Sequence, residues 1–295
     1  MENADAIATQ LPAQRTDVTF LDVTEHAWEL YDWVERAGSF PGASGEPSGN
    51  MYNWLRLTSG VRAIKFNMEY DDGGMCSGGD DFDYMWSEMM DKLHFRLAQL
   101  AYARAAFEAA GHLLLPDVPD GDSVLEAVLG VLKQADTSMP YGAATVGESL
   151  TAYLAEAPAT YRGGVGVPGV GTGGFSAALR AAIALQDRAG RGLLRIPQPL
   201  SDYDDLRPTG EIETEAAAEG ATVLLMAVQA LLGWAVAEGL IGAPNEDKYL
   251  LDGMWLPDGN GGGSWVEEEM SYADYLPVLH LVQGEQPADH GVIVD

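Results

Sequence analysis

The chain has 295 residues, 47% of them apolar, which suits one large core or two modest ones. Its 45 acidic and 16 basic residues leave a formal net charge of −29. That balance argues against direct nucleic-acid binding, which rests on Lys and Arg neutralising phosphates, and against an anionic membrane surface. It leaves open solubility or salt adaptation, a basic protein partner, metal ions, or imitation of DNA.

Residues 1–16 read as a loose arm. They carry neither a basic n-region nor an apolar h-region, so they are not read as a signal peptide. Cys76 is the one cysteine and cannot form an internal disulfide, which fits a cytosolic setting. Val18 to Val23 has β character, and Thr24 is placed to cap a helix over 25–37 that ends at Gly38. After a Gly/Pro/Ser loop at 40–50, Met51 to Thr58 and Val61 to Tyr70 alternate like paired strands joined at Ser59-Gly60.

The stretch 80–115 carries the longest unbroken helical pattern in the chain. Phe82, Trp86, Met89, Leu93, Leu97, Leu100 and Phe107 recur at helical spacing, and Pro116 stops the run. Such a helix is ~50 Å long and crosses a compact body whose radius of gyration is ~19 Å. Further helices are expected over 122–135, 146–157, 175–189 and 211–240, with a glycine loop at 163–174 and a brief strand at 193–196. The apolar run 221–243 is long enough to span a bilayer. It carries Gln229 and Glu238, follows four glutamates and lacks a basic flank, so it reads as a buried core helix.

Beyond it, Trp255 and Trp265 flank a wide hairpin, and 278–282 and 292–294 read as short strands returning to the N-terminal hairpin. The expected fold is therefore mainly α with a small mixed sheet: a single helix-rich domain around one long central helix. Its parts are an N-terminal helix and hairpin at 17–70, a helical body at 80–243 and an acidic C-terminal portion at 244–295.

Several constellations are candidates for chemistry. Asp80, Asp81 and Asp83 form a carboxylate cluster that suits Mg²⁺ or Ca²⁺. It resembles the D-D-x-x-D/E metal motif of terpene cyclases, but the third acid comes one residue early and no second metal motif follows. Acids at a helix start also favour the dipole without any metal. Asp91 with His94, and Glu108 with His112, share helix faces at ligand spacing. Arg104 and His112 invite comparison with HEPN nucleases, but seven residues separate them and Ala105 stands where a polar residue is expected.

The glycine loop matches G-x-G-x-x-G twice, without a strong preceding strand or a P-loop Lys. Ser176, Asp252 and His280 follow hydrolase order, although helices are read where that fold needs parallel strands.

Charge is uneven: from Pro208 onward there are 16 acidic residues against one basic residue, Lys248. The leading functional expectation is therefore a non-enzymatic protein-interaction subunit, such as an assembly, phage or defence component or an inhibitor of a basic protein. It would bind a basic partner through Glu211, Glu213, Glu215, Glu267, Glu268 and Glu269, with Trp255 and Trp265 as anchors. No cofactor is implied. The alternatives are a divalent-metal enzyme at Asp80, Asp81 and Asp83, and a DNA mimic.

Overall fold

A computed structural model describes residues 19–37, 40, 47–65, 77–118, 122–134, 139–156, 174–191, 207–257 and 263–284. Helices dominate: α1 (Val23–Arg36), α2 (Pro47–Gly60), α3 (Ser77–Leu114), α4 (Asp122–Gln134), α5 (Ala143–Glu156), α6 (Gly174–Gly190) and α7 (Arg207–Ala237). The chain after α7 forms β1 (Asp247–Lys248), β2 (Met254–Pro257), β3 (Gly263–Val266) and β4 (Met270–Ser271), then a one-turn helix, α8 (Tyr272–Tyr275), and a 3-10 turn. The strands make two small antiparallel pairs, β1 with β4 and β2 with β3. The mainly helical α+β architecture and the long helix match expectation.

The core is organised around α7. Every residue from Val223 to Leu232 is at most 1% exposed, so this stretch of the helix is buried on all sides. It is the one described helix long and apolar enough to cross a membrane, and most of that stretch lies inside the protein. The long helix α3 lies along it, with α1, α5, α6 and α4 completing the jacket. Small residues permit close approach: a Cβ on Gly220 of α7 would stand 3.1 Å from Leu100 Cδ1 on α3 and 3.7 Å from Ala182 Cβ on α6.

The expected N-terminal hairpin is not formed. Residues 51–60 belong to helix α2, residues 61–65 have no regular structure, and 66–70 lie outside the described residues. The sequence 51–58 satisfies both periodicities, and burial decides between them. Met51, Leu55 and Thr58, spaced four and three apart, are all 0% exposed, whereas Leu57, on the apolar face of a strand, is 47% exposed. Pro47 stands at the first helical position, where its missing N–H costs nothing. The Thr58 hydroxyl donates to the Trp54 carbonyl at 2.8 Å, one turn back.

With no hairpin to join, the C-terminal segment pairs elsewhere. Phe20 and Leu281 form an antiparallel bridge, with Leu21 N–H donating to His280 O at 2.8 Å and Val282 N–H to Thr19 O at 3.0 Å. The chain turns helical at Val23 because Asp22, not Thr24, caps α1, its carboxylate accepting from Glu25 N–H at 2.9 Å. The strands read at 193–196 and 292–294 and most of the glycine loop lie outside the described residues.

The helix contacts lead to a paired prediction on stability. Gly220→Leu overpacks the α3–α6–α7 junction and lowers unfolding stability by about 1–3 kcal/mol in urea titration. Gly130→Ala, on α4 with open space around it, raises stability by about 0.5–1 kcal/mol. Equal effects of the two substitutions would refute this account of the junction.

Candidate binding surfaces and the buried histidine pair

Gln229 sits midway along α7 and is 1% exposed. A buried amide has to find partners, because leaving its groups unmade costs about 1–3 kcal/mol. Its oxygen accepts from His26 Nε2 at 3.0 Å. Its nitrogen donates to Leu276 O at 2.5 Å and to His280 Nδ1 at 3.0 Å. His280 Nε2 in turn donates to Tyr141 O at 2.6 Å, and Phe20 stacks on the His280 ring. One chain of hydrogen bonds thus joins α1, α7, the turn before α5 and the C-terminal segment.

Burial, with the nearby His280 reinforcing it, lowers the His26 pKa to about 3, against the Gln229 hydrogen bond. Burial likewise lowers His280 to about 4, against its bond to Tyr141. Both rings are therefore neutral at pH 7.

These contacts decide one sequence candidate. Both His280 nitrogens are occupied, so the ring is not a base for Ser176, which lies in the first turn of α6. Arg104 is also committed elsewhere. It clamps α3 to α6 through Asp187, the Gln186 side chain and the Ile183 carbonyl, and it pairs with Glu108 at 2.9 Å. Asp91 lies 3.4 Å from Lys65.

Among the described residues, no three His, Cys, Asp or Glu side chains gather so as to hold a metal. Asp80, Asp81 and Asp83 lie on the first turns of α3, but their side chains are outside the described residues. The same holds for Glu211 on α7. Glu213 is 5% exposed and points into the protein, whereas Glu215 is exposed. The anticipated glutamate row on α7 therefore does not form one solvent-facing patch.

The other anticipated binding residues do come together. In the β2–β3 hairpin Trp255 stands directly opposite Trp265. Trp255 lies over Gly263 and Trp265 over Gly253, so each indole crosses diagonally to the glycine two residues before its partner. Gly253 has φ +80, and its missing Cβ leaves the room the Trp265 ring occupies. Glu267, Glu268 and Glu269 follow β3 and are exposed, Glu267 accepting from Trp265 Nε1 at 2.7 Å.

The β1–β4 register pairs Lys248 with Met270. Continued by one residue, it sets Tyr249 opposite Glu269. Tyr249 is 58% exposed, Leu251 79% and Leu240 41%. Sequence reasoning missed these three, because isolated apolar residues between turns carry no periodic signal.

Lys248 is drawn inward. Its Nζ lies 2.9 Å from Glu29 Oε2 and 5.0 Å from the Tyr275 ring centre. The Tyr275 hydroxyl donates to the same carboxylate at 2.9 Å, and burial pushes the Tyr275 pKa well above the usual tyrosine range. Residues 238–257 and 263–284 contain no other Lys or Arg. The described surface of this lobe therefore presents acids and exposed apolar side chains, and Arg36 of α1, which also pairs with Asp32, reaches Glu246 at 2.8 Å.

No protein-family pattern, curated protein or solved structure matches the chain.

The histidine pair predicts a pH dependence. Both folded pKa values lie below the unfolded value of 6.5. Between pH 6.5 and about 4 the unfolded chain therefore binds protons that the native state refuses. Stability is fully present above pH 6.5 and falls on acidification, by about 1.4 kcal/mol per pH unit for each histidine. His280→Gln removes one share, so the variant's stability changes less steeply with pH across that window. The many surface carboxylates titrate in both proteins and cancel in the difference. Parallel pH profiles for the two proteins would refute the assignment.

Proposed function

We propose that the chain is a binding subunit that docks a basic protein on the acidic lobe at 238–257 and 263–274. The observation that carries this reading is the sorting of side chains in that lobe. Its one cation, Lys248, is turned onto Glu29, while Asp247, Asp252, Glu267, Glu268 and Glu269 face solvent beside exposed Tyr249 and Leu251. A surface of one sign steers an oppositely charged partner and sets its encounter rate. Apolar side chains within such a surface supply the desolvated centre on which affinity depends. Exposing Leu251 and Tyr249 in the unbound protein has a cost that a partner would offset.

Coupling through charge is sensitive to salt, because exposed charges are screened beyond about 10 Å at 0.1 M ionic strength. The full chain, used as bait in extract from its own cells at low salt, is expected to retain a basic protein in stoichiometric amount and release it along a salt gradient. A variant with Glu267, Glu268 and Glu269 changed to Gln and Leu251 to Ser should lose at least about tenfold in affinity for that purified protein. Unchanged affinity of the variant, or a partner that salt does not release, would overturn the reading.

A further inference from the structure

A second surface includes Glu29 but not Lys248. An open groove of about 520 Å³ runs between the N-terminal half of α1, the end of α2 and the segment 281–283. Its volume falls in the range that holds small ligands, roughly 300–1,000 Å³.

Most of its polar groups are spoken for. Glu29 accepts from Lys248 and Tyr275, the Thr24 hydroxyl accepts from Gln99, and the Ser59 hydroxyl donates to the Arg56 carbonyl. Three side chains are not committed. Trp28 is 54% exposed, and it is held in place by stacking on Tyr31 at 5.2 Å between ring centres. Among the described residues, the Glu25 carboxylate and the Arg62 guanidinium each lack a hydrogen-bond or ion-pair partner, and they do not pair with one another. One acid, one base and one indole face therefore line the same groove without satisfying each other.

We propose that this groove is a small-molecule site for a zwitterion of the amino-acid or betaine class. The cationic end of the ligand rests on the Trp28 indole beside the Glu25 carboxylate, because an aromatic face and an acid both attract a cation. Its carboxylate meets Arg62, whose planar fork matches that geometry. A simple anion is disfavoured by the Glu25 carboxylate, which lines the same groove. A simple cation leaves Arg62 unanswered. A ligand carrying both charges is the class that satisfies both walls. The groove shares Glu29 with the lobe but is lined by none of the lobe's exposed acids, so a ligand here does not require a protein partner there.

The test is isothermal titration of the full chain with glycine betaine, L-proline, choline and propionate, each to ~10 mM, a ceiling that captures millimolar affinity. One of the two zwitterions is expected to bind saturably, more tightly than choline and propionate by about tenfold or more. Trp28→Ala and Arg62→Ala should each weaken that zwitterion by about tenfold, and Glu25→Gln by less. Arg62→Ala should not weaken choline binding. All three side chains are on the surface, and unchanged melting temperatures will establish that the variants fold. Absence of saturable binding by both zwitterions, binding that survives Trp28→Ala and Arg62→Ala, or choline binding as tightly as the zwitterions would each overturn the proposal.

Discussion

A single amide in the middle of a helix buried on every side constrains much of this molecule. Gln229 is 1% exposed, and its neighbours along α7 are Val, Leu, Met and Ala. Its oxygen and nitrogen must be satisfied from within, and the groups that do so come from sequence positions 26, 276 and 280. The first helix and the last described segment are thereby held at the same point of the core. The Phe20–Leu281 bridge, the Phe20 ring on His280 and the His280 bond to Tyr141 extend that junction outward. An apolar residue at 229 would leave His26 Nε2 and His280 Nδ1 without these partners in the interior. Polar satisfaction fixes the first helix and the last described segment at this point.

Helix α1 carries the consequences to the surface. Its inner face, with Leu30, Trp33 and Val34, lies in the core. Its outer face carries Glu25, Trp28, Glu29 and Asp32 past two different neighbours. Toward the C-terminal lobe, Glu29 holds Lys248 and Asp32 accepts from the Tyr272 hydroxyl. Toward α2, Trp28 and Glu25 border the open groove. Neutralising Lys248 with Glu29 affects both regions. It strips the lobe of its cation, and it leaves Glu25 as the uncommitted acid in the groove.

Much of this architecture is legible in the residues, and the failures have physical causes. Helices α4, α6 and α7 begin and end within a few residues of where their apolar spacing and flanking Gly and Pro put them. Helix α2 was read as a strand because Met51, Leu55 and Leu57 alternate. Only the tertiary fact that Thr58 is buried and Leu57 exposed chooses the helical period. The Trp255–Trp265 hairpin was visible because two β-favouring runs flank a glycine tract. The acidic residues could be counted but not oriented: Glu213 and Glu215 are two positions apart, and a helix sends one inward and the other outward. His280 suggested a catalytic triad in sequence order, while its actual partners, Gln229 and the Tyr141 carbonyl, lie 51 and 139 residues away and leave no local trace.

The inward turn of Lys248 also bears on how the acidic lobe can be regulated by covalent chemistry. Cells commonly alter surface charge by acylating lysine amines. From Pro208 to the end of the chain Lys248 is the sole lysine, and its side chain is 16% exposed against Glu29. Amine-directed enzymes and reagents therefore find their lysines in the first half of the chain, at Lys65, Lys92 and Lys133. The lobe keeps its negative sign whatever happens to those amines. Its effective charge responds instead to counter-ions, so the salt of its surroundings sets how strongly that face attracts.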